Sequence, residues 1–116
     1  MKPAATPGAP APATAPDFTV IVETISYIND MVDSPGASQR EFAESARAGD
    51  TVRSVLRRFS ARFPRLQEAL WDPGTSEIGG HVEVIVNDAI LGMRHTLDSI
   101  VHDKDRIVLL GQYIGG

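Results

Sequence analysis

Val52, Val55, Leu56, Phe59 and Phe63 stand at i, i+3, i+4, i+7 and i+11. That spacing places them on one stripe of an α-helix. Arg53, Arg57, Arg58 and Arg62 fall mostly off the stripe. Asp50 or Thr51 can accept hydrogen bonds from the first free N–H groups of such a helix, and Pro64 should end it near Phe63. Arg65 to Trp71 reads as a second short helix, stopped by Asp72-Pro73-Gly74. An apolar stripe on one main helix must be covered, and the segments around it are of the kind that form a sheet.

Phe18 to Ile25 is β-branched and aromatic and reads as a strand. Tyr27 to Ser38, with Asn29, Asp30, Asp33 and Ser34-Pro35-Gly36, reads as a turn or long loop. Gln39 to Ala46 alternates weakly around Phe42 and is expected as an edge-like strand, closing a hairpin with the first. His81 to Val86 alternates as a third strand. Asn87-Asp88 makes a turn, and Ala89-Ile90-Leu91 runs back as a short strand. Leu97, Ile100 and Val101 fit one helical turn. Asp103-Lys104-Asp105 is a turn before a last strand, Arg106 to Leu110, whose continuous apolar run suits a central position covered on both faces. No internal repeat is present. The expected fold class is α+β: a β-grasp, with a mixed four- to five-stranded sheet, one main helix and a second short helix. Val20, Val22, Val52, Val55, Leu56, Phe59, Val84, Val86, Val108 and Leu110 are expected to share one core.

A chain of 116 residues has room for one domain, and 42% apolar residues allow a modest core. The absence of cysteine excludes a disulfide framework, a thiolate nucleophile and a cysteine zinc site. The formal charge of −4 is a poor match for nucleic acid. No apolar run approaches the roughly 18 residues of a membrane span. Lys2 is the single basic residue near the start and no apolar segment follows it, so no signal peptide is expected and the cytoplasm is the default compartment. Residues 1–17 are Pro- and Ala-rich, with almost nothing large enough to bury, and are expected to form a disordered tail to the domain at 18–116.

Several segments together resemble the MoaD/ThiS family of ubiquitin-like sulfur carriers, and more its MoaD branch. Gly49-Asp50-Thr51-Val52-Arg53-Ser54-Val55-Leu56 is similar to the entry into that family's main helix. Arg62-Phe63-Pro64-Arg65-Leu66-Gln67-Glu68-Ala69-Leu70 resembles its helix end and second helix. Val84-Ile85-Val86-Asn87-Asp88 resembles its strand and Asn-centred turn, and Leu97 with Asp103 to Leu110 its closing turn and strand. Gly115-Gly116 resembles the terminal pair. Three features depart from the family pattern: Lys104 where a glycine is usual, Gln112-Tyr113-Ile114 ahead of the glycines, and the long segment from Tyr27 to Ser38 together with the extra Pro/Ala tail.

The resemblance implies a carrier whose terminal carboxylate on Gly116 is the attachment site. A carboxylate is a poor electrophile. Adenylation by an ATP-using partner makes it an acyl-phosphate anhydride with AMP as leaving group. A persulfide sulfur then leaves a thiocarboxylate, whereas an amine leaves an amide. Glycines suit this end because, without Cβ, they thread a narrow active site. Residues 111–116 are expected to form a flexible arm, with Tyr113 and Ile114 as its large apolar groups beside Gly115. The implied partners are an adenylating, ubiquitin-activating-type enzyme and the molybdopterin synthase large subunit or another sulfur acceptor. No bound cofactor, no catalytic residue, no nucleic acid and no membrane are expected, ATP being used by the partner. Two other readings stay open: a protein modifier conjugated through Gly116, and a β-grasp interaction module that never uses its terminus.

Other candidates fit worse. His81, His95 and His102 have no partner at metal-ligand spacing. The serines lack a nucleophile-elbow context. Asp103 and Asp105 read as turn residues. Gly79-Gly80 precedes a strand, not the helix that a phosphate cradle needs. The arginines at 53, 57, 58, 62 and 65 read either as a solvated helix face or as a dock for an acidic partner. Deleting residues 1–17 should leave the thermal midpoint almost unchanged; a loss of several degrees would show that this segment packs on the domain.

Overall fold

The computed structural model describes residues 18–111, so the expected tail at 1–17 and the expected arm beyond Gly111 lie outside the described residues. The elements run β1 (Phe18–Ile25), α1 (Ile28–Met31), β2 (Gln39–Ala46), α2 (Val52–Ser60), α3 (Pro64–Leu70), β3 (Val82–Val86), β4 (Ala89–Ile90) and β5 (Arg106–Gly111). The strands form one five-stranded sheet in which β5 is central, flanked by β1 and then the edge strand β2 on one side, and by β3 and then β4 on the other. β1 pairs antiparallel with β2 from Phe18↔Ala46 to Ile25↔Gln39. It pairs parallel with β5 from Ile21↔Arg106 to Ile25↔Leu110. β3 pairs antiparallel with both β4 and β5. A parallel pair needs a long crossover, and the chain between β1 and β5 supplies it, with α2 and α3 packed on one face.

That face holds the core. Val20 and Val22 of β1, Val82, Val84 and Val86 of β3, and Ile107 and Leu109 of β5 are buried against Val52, Val55, Leu56 and Phe59 of α2. Leu66, Leu70 and Trp71 complete it from α3, and Trp71 satisfies its indole N–H by donating to the Ser60 hydroxyl at 3.0 Å. Phe42 meets Phe59 edge-on with ring centroids 5.0 Å apart, and Phe63 lies 5.3 Å from Phe59.

The structure corrects four expectations. β5 is central but not covered on both faces: Ile107 and Leu109 enter the core, while Val108 and Leu110 lie on the uncovered face, half-buried. An apolar run carries no phase of its own, and the register Val22↔Ile107 sets it. α2 stops at Ser60, not near Phe63. Phe63 instead takes extended backbone ahead of Pro64, which opens α3, as the residue before proline is driven to do.

The segment from Tyr27 to Ser38 is not all loop. It contains α1 and buries Ile28, Asn29 and Val32. Asn29 accepts from Thr24 Oγ1 at 2.6 Å and donates to the Ala37 carbonyl at 3.0 Å, so a buried amide ties both ends of the segment to β1.

The segment around Leu97, Ile100 and Val101 is not a helical turn. Leu97 and Val101 are buried, but Ile100 is half exposed. Its carbonyls serve α2 instead: Val52 donates to Ser99 and Arg53 to Leu97. Phe59→Ala should cost about 3–5 kcal/mol, read from the midpoint of urea unfolding; an unchanged midpoint would remove Phe59 from the core.

Candidate functional site

Tyr113, Ile114, Gly115 and Gly116 lie outside the described residues. Their attachment point does not. Gly111 is the last residue of the central strand and pairs with Val82 of β3. A Cβ built on Gly111 would lie 2.6 Å from Cε2 of Tyr27, so the ring occupies the space a side chain would need. The Tyr27 hydroxyl donates to the His81 carbonyl at 2.5 Å, just ahead of β3. Sequence reasoning placed Tyr27 in a loop and had no signal for this contact.

The face of the sheet opposite the helices is the second part of the site. Strand alternation puts Ile25, Leu110, Val108, Ile85 and Ile90 on it, and the register links them: Ile25↔Leu110, Ile85↔Val108 and Ile85↔Ile90. Ile90 is 51% exposed and the others are half-buried. Beside this apolar band Arg106 donates to Glu23 at 2.6 Å and to Glu41 at 2.8 Å. The Glu41 and Glu23 carboxylates hold the Arg106 guanidinium above its ordinary pKa. This uncovered band, with Glu83 opposite Leu110, reaches the end of the last described strand and is of the kind that can seat a partner.

The five arginines singled out from sequence form neither a free face nor a ready dock. Arg53 pairs with Asp98 at 3.0 Å and Glu77 at 3.2 Å, Arg58 with Asp50 at 2.9 Å, and Arg62 with Glu44 at 2.8 Å. Arg57 stacks over the Trp71 ring, 3.9 Å from its centroid, and Arg65 donates to the Asp30 carbonyl. Arg53, Arg57 and Arg58 tie α2 to the segments beside it, Arg62 ties the chain after α2 to β2, and Arg65 ties α3 to α1.

At the sheet end opposite the arm, the turns follow their chemistry. Asn87 and Asp88 both have positive φ, as a two-residue hairpin turn requires. Asn87 bonds the Arg106 backbone in both directions: its backbone N–H donates to the carbonyl and its Oδ1 accepts from the N–H, each at 3.0 Å. Lys104, where the family pattern has glycine, keeps the left-handed conformation at φ +70°, and its N–H reaches the Thr19 carbonyl at 2.7 Å. The departure leaves the turn intact and strains a residue with a Cβ.

The start of α2 carries a full set of partners. Thr51 and Ser54 form a reciprocal capping box. Asp50 bonds Arg58, the Arg47 N–H and the Ser54 hydroxyl. The Arg58 bond, aided by those from Arg47 and Ser54 and opposed by burial, holds the Asp50 carboxyl down at about 2. An open cleft of about 680 Å³ runs along this loop between Ser45 and Arg58, and two of its charges, Asp50 and Arg58, pair with each other.

Among the described residues no three His, Cys, Asp or Glu side chains are grouped to hold a metal ion, and no helix is long and apolar enough to cross a membrane. Gly79 packs under α3, with its N–H on the Leu70 carbonyl at 2.7 Å. It does not open a helix.

A mixed sheet with a central parallel pair, one face covered by helices and the last strand in the middle, is the ubiquitin-like β-grasp. Solved structures share it. The small archaeal modifier protein 1 of Methanosarcina acetivorans has a TM-score of 0.67 and 19% identity, over 85% of this chain and 97% of that one. The Amycolatopsis orientalis BexX/CysO complex gives 0.61 and 22%, over 84% and 99%. A protein assigned as molybdopterin converting factor, subunit 1, from Pyrococcus furiosus gives 0.59 and 15%, over 84% and 100%. These neighbours are MoaD/ThiS-like ubiquitin-fold proteins, in agreement with the resemblance read from the sequence; at such identities the shared property is the fold. No protein-family model and no curated protein matches the chain.

A carboxylate held below its ordinary pKa stabilises the fold above about pH 4 and stops doing so as the pH falls towards 2. The Asp50 side chain is 16% exposed and its partner Arg58 is 50% exposed. Solvent screening of that pair limits its contribution to roughly 1–2 kcal/mol. Asp50→Asn should therefore be less stable than the parent at pH 7 by about this amount, and in urea titrations the gap should narrow below about pH 4 and close only as the pH falls through about 2. A gap that is the same at both pH values would remove the carboxylate as its source.

Proposed function

We propose that this chain is a ubiquitin-like sulfur carrier whose terminal glycine, Gly116, is adenylated by a partner enzyme and converted to a thiocarboxylate. The observation that supports the reading is the place of the central strand: β5 runs to Gly111, the last described residue, beside the uncovered sheet face, and Gly115-Gly116 follow in the sequence. The shared fold of a molybdopterin converting factor subunit and of the BexX/CysO complex supports it.

The chemistry divides between partners. The Gly116 carboxylate attacks the α-phosphorus of ATP and releases pyrophosphate. The terminal sulfur of a partner's persulfide attacks the acyl carbonyl and expels AMP. A thiol then cleaves the resulting acyl disulfide, leaving the thiocarboxylate here and a disulfide on the partner. This chain supplies the handle and the docking face and does no catalysis alone. The acceptor we favour is the large subunit of a molybdopterin synthase, in the cytoplasm where ATP is supplied. The similarity to a small archaeal modifier protein favours one alternative, in which an amine attacks the adenylate and an amide forms.

With ATP, an adenylating enzyme and a sulfur donor, the intact mass should rise by the difference between one sulfur and one oxygen. Removing Gly116, or adding one residue after it, should abolish the rise while the circular dichroism spectrum and thermal midpoint stay as they were. Sulfur transfer that continues with the terminus blocked would sink the carrier reading, and a branched lysine conjugate in place of the mass rise would turn it to the modifier.

A further inference from the structure

We propose that Tyr27 is a positioning residue that fixes the root of the terminal arm; its purpose rests on the carrier reading, its geometry does not. Ser26, at φ +68°, turns the chain off the end of β1. The Tyr27 ring then crosses the end of β5 on the helix-covered face, where a Gly111 Cβ would meet Cε2, Cδ2 and Cζ at 2.6, 2.8 and 2.9 Å. Its hydroxyl continues to the His81 carbonyl at 2.5 Å. One side chain thus joins the end of β1, the last residue of β5 and the start of β3. Glycine at 111 is what lets the ring lie against the backbone; any side chain there would displace it.

Five residues, Gln112 to Gly116, follow this point in the sequence. At full extension they span at most about 17 Å, so where Gly111 is held decides where Gly116 can be delivered. Each residue that frays from the sheet adds roughly 3.4 Å of slack and a new set of backbone conformations. Reaction at the carboxylate tolerates a misplacement of only about 1 Å before the rate suffers. A side chain that filled the core and did nothing else would not need a hydroxyl bonded to the neighbouring strand's entry.

The full-length chain and its Tyr27→Phe, Tyr27→Ala and Gly111→Ala variants test this, with Val101→Ala as a buried change elsewhere in the core. Amide hydrogen exchange at Gly111 reads the clamp directly. It should quicken severalfold in Tyr27→Ala and Gly111→Ala, less in Tyr27→Phe, and not in Val101→Ala beyond its effect on global stability. Thiocarboxylate formation, with the adenylating enzyme of the same genome, ATP and sodium sulfide, reads the purpose. Tyr27→Ala should lower kcat roughly ten- to a hundredfold at unchanged KM, because the docking face is intact, and Tyr27→Phe should recover most of it. If Tyr27→Ala does not fold, Tyr27→Phe and Gly111→Ala decide. Unchanged Gly111 exchange in these variants overturns the clamp. Faster exchange with undiminished kcat overturns the positioning role. A parent chain that is never loaded overturns the carrier reading instead, and the exchange result still decides the clamp.

Discussion

The parallel pairing of β1 with β5 is the contact on which the rest of the molecule depends. It joins segments more than eighty residues apart and puts the last strand in the middle of the sheet. Closing so long a loop costs entropy that no local contact repays. What repays it is the burial of Val22 beside Ile107, on the face that α2 covers. Because β5 is central, it is held on both sides, by β1 as far as Leu110 and by β3 as far as Gly111. A terminal strand at an edge would fray there.

The same register produces the two unlike faces. Every residue that β5 sends into the core leaves its neighbour on the open side, so burying Ile107 and Leu109 leaves Val108 and Leu110 uncovered. Arg106 with Glu23 and Glu41 gives the β1–β2 side of the open face a paired, polar character, while the β3–β4 side carries Ile85 and Ile90, with Glu83 opposite Leu110.

Most polar groups that looked available for recognition serve the fold. Asn29 spans a loop from inside, Asp50 anchors the start of α2, and Arg53, Arg58 and Arg62 are each held by a carboxylate from another element or loop. Solvated pairs of this kind contribute little stability singly. They do set which loops lie beside α2, and they leave the open sheet face as the surface with unmet apolar area.

The sequence by itself determined the elements that local chemistry controls. β1 and β2 have their expected limits, the stripe of α2 is buried, and Asn87-Asp88 turns with positive φ. These are matters of periodicity, capping and backbone sterics within a few residues. Tertiary structure decided the rest. The phase of β5 came from its partner β1, since a run of Ile, Val and Leu is equally apolar on both sides. Phe63 left the helix because the proline after it demanded extended backbone. The chain near Leu97 gave up a helical turn so that its carbonyls could cap α2. Tyr27 found Gly111 across 84 residues, a meeting that no local pattern announces, because it depends on two strands first becoming neighbours.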